Sequence, residues 1–390
     1  MDTLFVYDRL VEAQDICNFK KDIAALSDAV EKGRCVRLYG RRNFGKTSIV
    51  KNIVAPTWEQ QDPATRVPIY IDLYAAQSLH DISHEFSKAF NTAITRKQSL
   101  MEKGFAWLKT IRNMRPTWKP PTESSDFGEF SIKTETGSDV VDFDIILSNI
   151  QRLSKTGKFS FLLIMDEFQE IANIRQAEAK LRAGLQELGA ATPVIILGSK
   201  QHMLEKIFNK PKAPFHAWGT TIELRAIPYE EYFSYMQERF TRAGKTIDSP
   251  TSIYLQDLME RIPESINRLC DAIAENPEIR EITHAGVNQT MSSFLDRSMS
   301  IYSAMYAQFS AAERKVLLAL ARRDRARNVL SASFIQCADG VSKSGVEQIV
   351  RRFLDRGTVY QEFTEAGVVE YLLADPLFKF YLRKYKLFYS

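Results

Sequence analysis

Residues 38–48 read LYGRRNFGKTS. Within them Gly40, Arg41, Arg42, Asn43, Phe44, Gly45, Lys46 and Thr47 fit the pattern GxxxxGK[ST]. The two glycines let the chain curl so that successive backbone N–H groups turn inward toward phosphate oxygens. The lysine reaches the β- and γ-phosphates as a point charge, and the threonine hydroxyl is placed to ligate Mg²⁺. The helix that starts here adds the positive end of its dipole. Such a run carries meaning only between a strand and a helix. The apolar residues 36–39 supply that strand, and residues 46–54, Ser48 included, supply that helix.

Working outward, short apolar runs at 36–39, 67–73, 159–165 and 193–197 predict buried strands, each bounded by Gly, Pro, Lys or Asp. Amphipathic stretches at 46–54, 79–94, 143–153 and 176–188 predict helices between them. Strands alternating with helices imply an α/β fold, a parallel sheet flanked by helices. After residue 227 the pattern is helical only, with helices expected over 229–242, 252–261 and 264–275. From residue 310 three further helices (311–322, 333–338, 343–354) precede two alternating runs, 359–363 and 368–373, joined by TEAG. Three helices closed by a hairpin outline a winged helix-turn-helix. The expected domains are therefore an α/β core at 1–226 with a basic insertion at 96–140, a helical lid at 227–300, and a winged helix at 301–390.

A phosphate loop needs an acidic partner at the end of a neighbouring strand. FLLIMDE, residues 161–167, provides it. Asp166 would hold Mg²⁺ through water, and Glu167 would orient and deprotonate an attacking water. One strand on, VIILGS ends in Ser199, whose hydroxyl could meet the γ-phosphate or that water. A serine closing a strand is far less specific than the other two signals.

The totals exclude several classes. A chain of 390 residues with 45% hydrophobic and 26% charged content has material for packed cores and is not globally disordered. A net charge of +4 permits a nucleic-acid partner without arguing for one. Cys17, Cys35, Cys270 and Cys337 contain no CxxC pair, which suits a reducing compartment rather than a zinc cluster or a disulfide framework. No apolar run approaches the ~20 residues of a membrane helix. MDTLFVYDRL has acids and no apolar signal core, so a cytoplasmic protein without a membrane partner is expected.

With these motifs in this order, the chain resembles the AAA+/STAND superfamily of P-loop ATPases, and most closely the prokaryotic "archaeal ATPase" group with a C-terminal winged helix. Asp166-Glu167-Phe168-Gln169 looks like that group's DEFQ form of the acidic motif. Gly198-Ser199, then Met203, Phe208 and Ile222-Glu223-Leu224, is similar to its post-sensor segment. Asp375-Pro376-Leu377-Phe378 looks like its DPLF. The stretch from Pro263 to Asp271 is similar to the lid of secretion-type and transposition ATPases. The resemblance implies ATP with Mg²⁺ as ligands and Pro263 at the nucleotide. It also implies a nucleotide-dependent homo-oligomer.

Two departures bear on rate. The family's arginine before the strand at 221–224 is absent from Ala217-Trp218-Gly219-Thr220. Around Pro263 the family's preceding Gly and following Arg are replaced by Arg261-Ile262 and Glu264-Ser265. An arginine finger can contribute ~10³–10⁵ in rate, so hydrolysis is expected to be slow unless Arg225 or Arg268 substitutes. Either residue is equally readable as a solvated surface arginine.

Further candidates are weaker. Residues 96–119 hold seven basic residues and one acid, with Trp107 and Trp118 interleaved, which suits a nucleic-acid backbone or a solvated helix docked by its tryptophans. On 343–354, Lys343, Arg351 and Arg352 fall outside the apolar stripe, as on a recognition helix for double-stranded DNA. Glu362, Glu365 and Glu370 in the wing oppose that reading, and the basic cluster at 322–327 could offset them. His80 and His84 stand four apart, without a third ligand to make a metal site. Three functions stay open: an ATP-hydrolysing switch, a DNA-binding regulator with structural ATP, and an ATPase subunit that docks a protein effector.

Overall fold

The structure, a computed structural model, describes residues 4–17, 19–97, 115–119, 129–133, 142–157, 159–199, 201–364 and 366–387. The chain clusters into two compact units. One comprises Phe19–Gly40 and Lys46–Leu224; the other comprises Met1–Asn18, Arg41–Gly45 and Arg225–Ser390.

The first unit runs α1 (Lys20–Glu31), β1 (Cys35–Tyr39), α2 (Lys46–Ile49), α3 (Ala55–Gln61), β2 (Arg66–Asp72) and α4 (Leu79–Arg96). A hairpin, β3 (Arg115–Lys119) and β4 (Glu129–Lys133), is followed by α5 (Phe143–Lys155) and β5 (Ser160–Asp166). Then come α6 (Ala177–Gln186), β6 (Val194–Gly198), α7 (Gln201–Phe208) and β7 (Thr220–Glu223). Five strands form one parallel sheet in the order β2-β5-β6-β1-β7. Residues 161–166 of β5 are all buried, as in a parallel sheet covered on both faces, which is why this strand is a continuous apolar run and not an alternating one. The tract 98–114 with Trp107 lies outside the described residues, as does the side chain of Trp118.

The expected helix 46–54 is longer than its periodicity implied. After α2 it widens into a π-turn, Val50–Val54, and continues as α3. Pro56, which lacks a backbone N–H, follows directly on this π-turn, where the regular i→i−4 ladder is already interrupted, so the helix passes it.

The second unit carries α8 (Tyr229–Arg242), β8 (Thr246–Ile247), α9 (Ser249–Leu258), α10 (Pro263–Glu275), β9 (Glu281–Ile282), α11 (His284–Arg297) and α12 (Met299–Ala307). The helix expected over 252–261 begins earlier, because Asp248 caps it and Pro250 occupies its first turn. It also ends earlier: Glu260 and Arg261 both take left-handed backbone, with φ of 50° and 56°. The N-terminal segment packs here, with Phe5 fully buried, Arg239 Nε donating to the Leu4 carbonyl and Asn267 Nδ2 donating to that of Val6.

Next follow α13 (Ala311–Ala321), β10 (Ala326–Arg327), α14 (Ala332–Cys337), α15 (Lys343–Arg356), β11 (Val359–Phe363), β12 (Val369–Leu373) and α16 (Pro376–Leu382). Strand β12 pairs antiparallel with both β10 and β11. A Ser310–Glu313 capping box starts α13, Ser331 and Ser342 cap α14 and α15, and Gly357 at φ 71° closes α15. Val346, Ile349, Val350 and Phe353 form the buried stripe of α15, so three helices and a wing are in place.

Candidate nucleotide site

Strand β1 lies between β6 and β7, so the loop that leaves its C-terminal end starts from inside the sheet, next to the ends of its neighbours. That is where open α/β sheets place ligands. Gly40 is closely packed: a Cβ there would stand 3.1 Å from Leu224 Cβ and 3.2 Å from the Leu224 carbonyl oxygen, so Leu224 would have to give by a few tenths of an ångström. Gly45 is needed for its backbone, at φ 83°, and Asn43 also adopts positive φ, at 66°. The loop therefore curls as the motif requires.

Lys46 opens α2 and is buried, and its Nζ donates to the Gly40 carbonyl at 2.8 Å. Thr47 Oγ1 donates to Asp166 Oδ2 at 2.7 Å. Asp166 is itself buried at the end of β5, and Tyr70 of β2 donates its hydroxyl to the same Oδ2. Burial, reinforced by the Asp166 carboxylate, pushes the Tyr70 phenol well above its ordinary value, so it stays a proton donor. Tyr70 is a site residue that the motifs did not reveal. Its place follows from the β2–β5 register, which sets Asp72 opposite Asp166 and Tyr70 two residues earlier.

Thr47 Oγ1 and the Asp166 carboxylate, brought together at the end of the phosphate loop, are the hard oxygen donors that Mg²⁺ takes, the hydroxyl directly and the carboxylate through water. The donor set therefore fits Mg²⁺, with Thr47 and Asp166 as its protein partners. Elsewhere, no cluster of three His, Cys, Asp or Glu residues suited to a metal ion occurs among the described residues, and His80 and His84 are both exposed.

Glu167 sits in left-handed backbone at φ 50°, and its N–H donates to Asp166 Oδ1 at 2.8 Å. Its carboxylate accepts from Ser199 Oγ at 3.1 Å and from Gln169 Nε2. The structure thus brings Lys46, Thr47, Asp166, Glu167 and Ser199 together in one unit.

Residues 41–45 of the loop cluster with the second unit. Arg41 is buried, donates NH2 to Glu260 Oε2 at 3.1 Å and lies over the Tyr360 ring at 4.8 Å. Glu260 also pairs with the buried Lys379 of α16. Asn43 Nδ2 donates to Glu264 Oε2 at 3.1 Å, and Arg268 reaches Glu264 Oε1 at 2.5 Å. Burial raises the Glu264 carboxyl, with Arg268 opposing it. Phe44 is buried, Arg42 is exposed, and Pro263 is the first residue of α10. Of the two candidate arginines, Arg225 is exposed, whereas Arg268 is held by Glu264 and packs over Tyr7.

In the winged helix Lys343 and Arg351 are exposed, and Arg352 pairs with Glu313 at 3.4 Å. The wing acids are a correction. Glu370 is buried and accepts from Arg325 at 2.9 Å and Arg327 at 2.7 Å, and Glu362 accepts from Arg325 at 2.6 Å. Burial works against the Glu370 charge, but these two arginines hold its carboxyl below the ordinary range. Glu362 and Glu370, expected to repel phosphates, are thus paired with Arg325, just before β10, and Glu370 also with Arg327 on it, while Glu365 lies outside the described residues.

A parallel sheet with this loop, this acidic strand end and a C-terminal winged helix defines a P-loop ATPase fold with a winged helix. Residues 300–384 match the family model described as "Probable winged helix domain". Over its length the chain is similar to solved structures. The Walker-type ATPase PABY2304 of Pyrococcus abyssi superposes with a TM-score of 0.65 at 14% identity, covering 97% of this chain and 99% of that one. The Aeropyrum pernix ORC2 protein in its ADPNP–ADP complexes gives 0.55 at 14%, covering 98% and 97%. The Aeropyrum pernix ORC1 protein in complex with DNA gives 0.51 at 11%, covering 98% and 96%. No curated protein matches the chain by sequence. These likenesses establish the fold, which is the one shared by that Walker-type ATPase and the two ORC proteins. No helix among the described residues is long and apolar enough to cross a membrane.

Proposed function

We propose that the chain is an ATP-hydrolysing switch of the AAA+/STAND type, whose nucleotide state is passed to its winged helix. The observation that carries this reading is the 2.7 Å contact between Thr47 Oγ1 and Asp166 Oδ2, with Glu167 on the next residue. Backbone amides of 40–47 and Lys46 would bind the triphosphate, and Thr47 and Asp166 would hold Mg²⁺, which supplies charge neutralisation when bound. Glu167 takes a proton from water as the water oxygen bonds to the γ-phosphorus and the β,γ-bridging bond breaks, leaving ADP and phosphate. Ser199 orients the Glu167 carboxylate. Turnover is slow, because the residues at 217–220 and Glu264 supply none of the positive charge that an arginine would bring to the leaving phosphoryl.

The division into a core at 1–226, a lid at 227–300 and a winged helix at 301–390 belongs to this reading. What supports the coupling is Glu260, which accepts from Arg41 in the loop and pairs with Lys379 in the winged-helix segment. A ligand shifts a conformation only through contacts that differ between states, and the side chains of 41–45 are such contacts. Double-stranded DNA is the partner favoured by the exposed Lys343 and Arg351 and by the neutralised wing; a protein effector is the alternative. Nucleotide-dependent self-association is checked by solution mass with and without a slowly hydrolysed ATP analogue.

The test is ATP turnover and binding by the wild-type chain, Lys46→Ala and Glu167→Gln. Expected are slow turnover in the wild type, lost binding in the first variant, and retained binding with turnover lowered by about 10²–10⁴-fold in the second. Three identical inactive proteins that bind no nucleotide would refute the proposal.

A further inference from the structure

Glu167 is held by more than Ser199. Gln169 is completely buried, and its Nε2 donates to Glu167 Oε2 with a longer contact of 3.4 Å to Glu170 Oε1. An amide has one donor end and one acceptor end, so a carboxylate on one side fixes which way round it lies. The other end, Oε1, is buried and has no hydrogen-bond partner among the described residues. A buried acceptor left unpaired is unfavourable by about 1–3 kcal/mol, and the fold keeps it there.

The seat for that end is Gly198, the last residue of β6. A Cβ at 198 would stand 2.7 Å from Gln169 Oε1 and 2.5 Å from Leu204 Cδ1, so any larger residue there would push the amide and Leu204 out of their present places. From the neighbouring residue, Ser199 Oγ reaches the same Glu167 oxygen at 3.1 Å. Two donors from two different elements therefore converge on one carboxylate oxygen. Since Glu167 has backbone φ of 50°, its carboxylate is aimed by side-chain partners as well as by the chain.

We infer that Gln169 is the positioning residue for Glu167. Its amide, seated on Gly198, fixes the carboxylate rotamer together with Ser199 and leaves Glu167 one orientation in which to receive the water's proton. This rests on the ATPase reading above. General-base catalysis contributes about 10²–10⁴ in rate, and a misplacement of about 1 Å can forfeit 10² of it.

The test uses the full-length chain and compares the wild type, Gln169→Met, Glu167→Gln and the double variant. Methionine keeps the volume and removes both the donor and the acceptor. Gln169→Met is expected to lower kcat by about 10–100-fold. Its KM and its affinity for a slowly hydrolysed ATP analogue should change less than about twofold. The double variant is expected to be no slower than Glu167→Gln alone, because an orienting group has nothing left to orient. If the methionine variant fails to fold, Gly198→Ala displaces the amide from the other side and is expected to give the same kcat defect with unchanged binding. Wild-type turnover in Gln169→Met, or a double variant slowed further by the full single-variant factor, overturns the inference alone. A wild-type chain that binds ATP without turning it over overturns both this inference and the reading it rests on.

Discussion

Arg41 and Glu260, 219 residues apart in sequence, form a buried ion pair 3.1 Å long, and both side chains are 8% exposed. Glu260 shares its second oxygen with Lys379, equally buried. One carboxylate thus neutralises two desolvated cations, and the guanidinium lies over Tyr360 at 4.8 Å. Removing the shared acceptor takes from both cations their nearest carboxylate and leaves Lys379 with the more distant Asp324 at 3.8 Å. Breaking a buried pair by deleting one partner typically removes about 3–5 kcal/mol, whereas Lys379→Met strands no charge, because Glu260 keeps Arg41 at 3.1 Å. Glu260→Ala should therefore shift the urea midpoint far more than Lys379→Met. Similar midpoints for the two variants would show that Glu260 is not the shared acceptor.

The Thr47–Asp166 contact leads to a second outcome. Thr47→Val keeps the shape of the helix start and deletes the hydroxyl. A charge-assisted contact contributes about 1.5 kcal/mol or more, equivalent to at least about tenfold in affinity. The Mg²⁺ concentration for half-maximal ATP turnover should rise by that factor, with recovery at high Mg²⁺. An unchanged Mg²⁺ requirement would remove Thr47 from the ligand set.

Much of this was legible in the sequence, because its physics is local. The phosphate loop is set by neighbouring residues, and the strand at 159–165 announces itself as an apolar run interrupted only by Ser160, while 67–73 alternates buried with more exposed residues at the sheet edge. The winged helix was readable from helical stripes and a period-two hairpin. Elements that depend on distant partners were not readable: α1, with few buried positions; the two-residue pairings β8–β9; and α11 and α12, whose exposed faces blur their periodicity. Site residues divide in the same way. Asp166 and Glu167 sit at the end of an obvious strand, whereas Tyr70 joins them only through parallel register, and Gln169 only because Gly198 leaves it room. Glu260 could not have been foreseen, since its role is created by residues from the loop and from α16.

Acid and base should act on the helical segment through Asp271. Burial, with Glu275 and Asp8 adding like charge, raises its carboxyl from 3.8 to about 6. The folded chain thus holds this proton more tightly than the unfolded chain. Above about pH 6 the ionised group opposes folding, and that opposition is relieved as pH falls from about 6 toward 3.8. Asp271→Asn should raise Tm at about pH 7.5, with the gain disappearing near pH 4. A Tm difference that does not vary with pH would contradict the assignment.

The exposed face of α15 separates DNA contact from scaffold. Lys343 and Arg351 have open side chains, while Arg352 and Arg356 both lean on Glu313, whose carboxylate is 7% exposed. The Ser310 backbone N–H holds the Glu313 carboxyl below the ordinary range, with the two arginines adding to this, so it stays charged at neutral pH. Each cation that meets a phosphate adds about one unit to the slope of log affinity against log salt. Lys343→Glu and Arg351→Glu should each reduce that slope by about one and leave Tm nearly unchanged. Arg352→Glu would place a second acid beside Glu313 and should lower Tm as well, through like-charge repulsion at a half-buried site. Titrating a fluorescent duplex at several salt concentrations, alongside thermal melts, reads both quantities. If all three reversals left the salt slope of the wild type intact, double-stranded DNA would not be the partner of this face, and a protein effector would take its place.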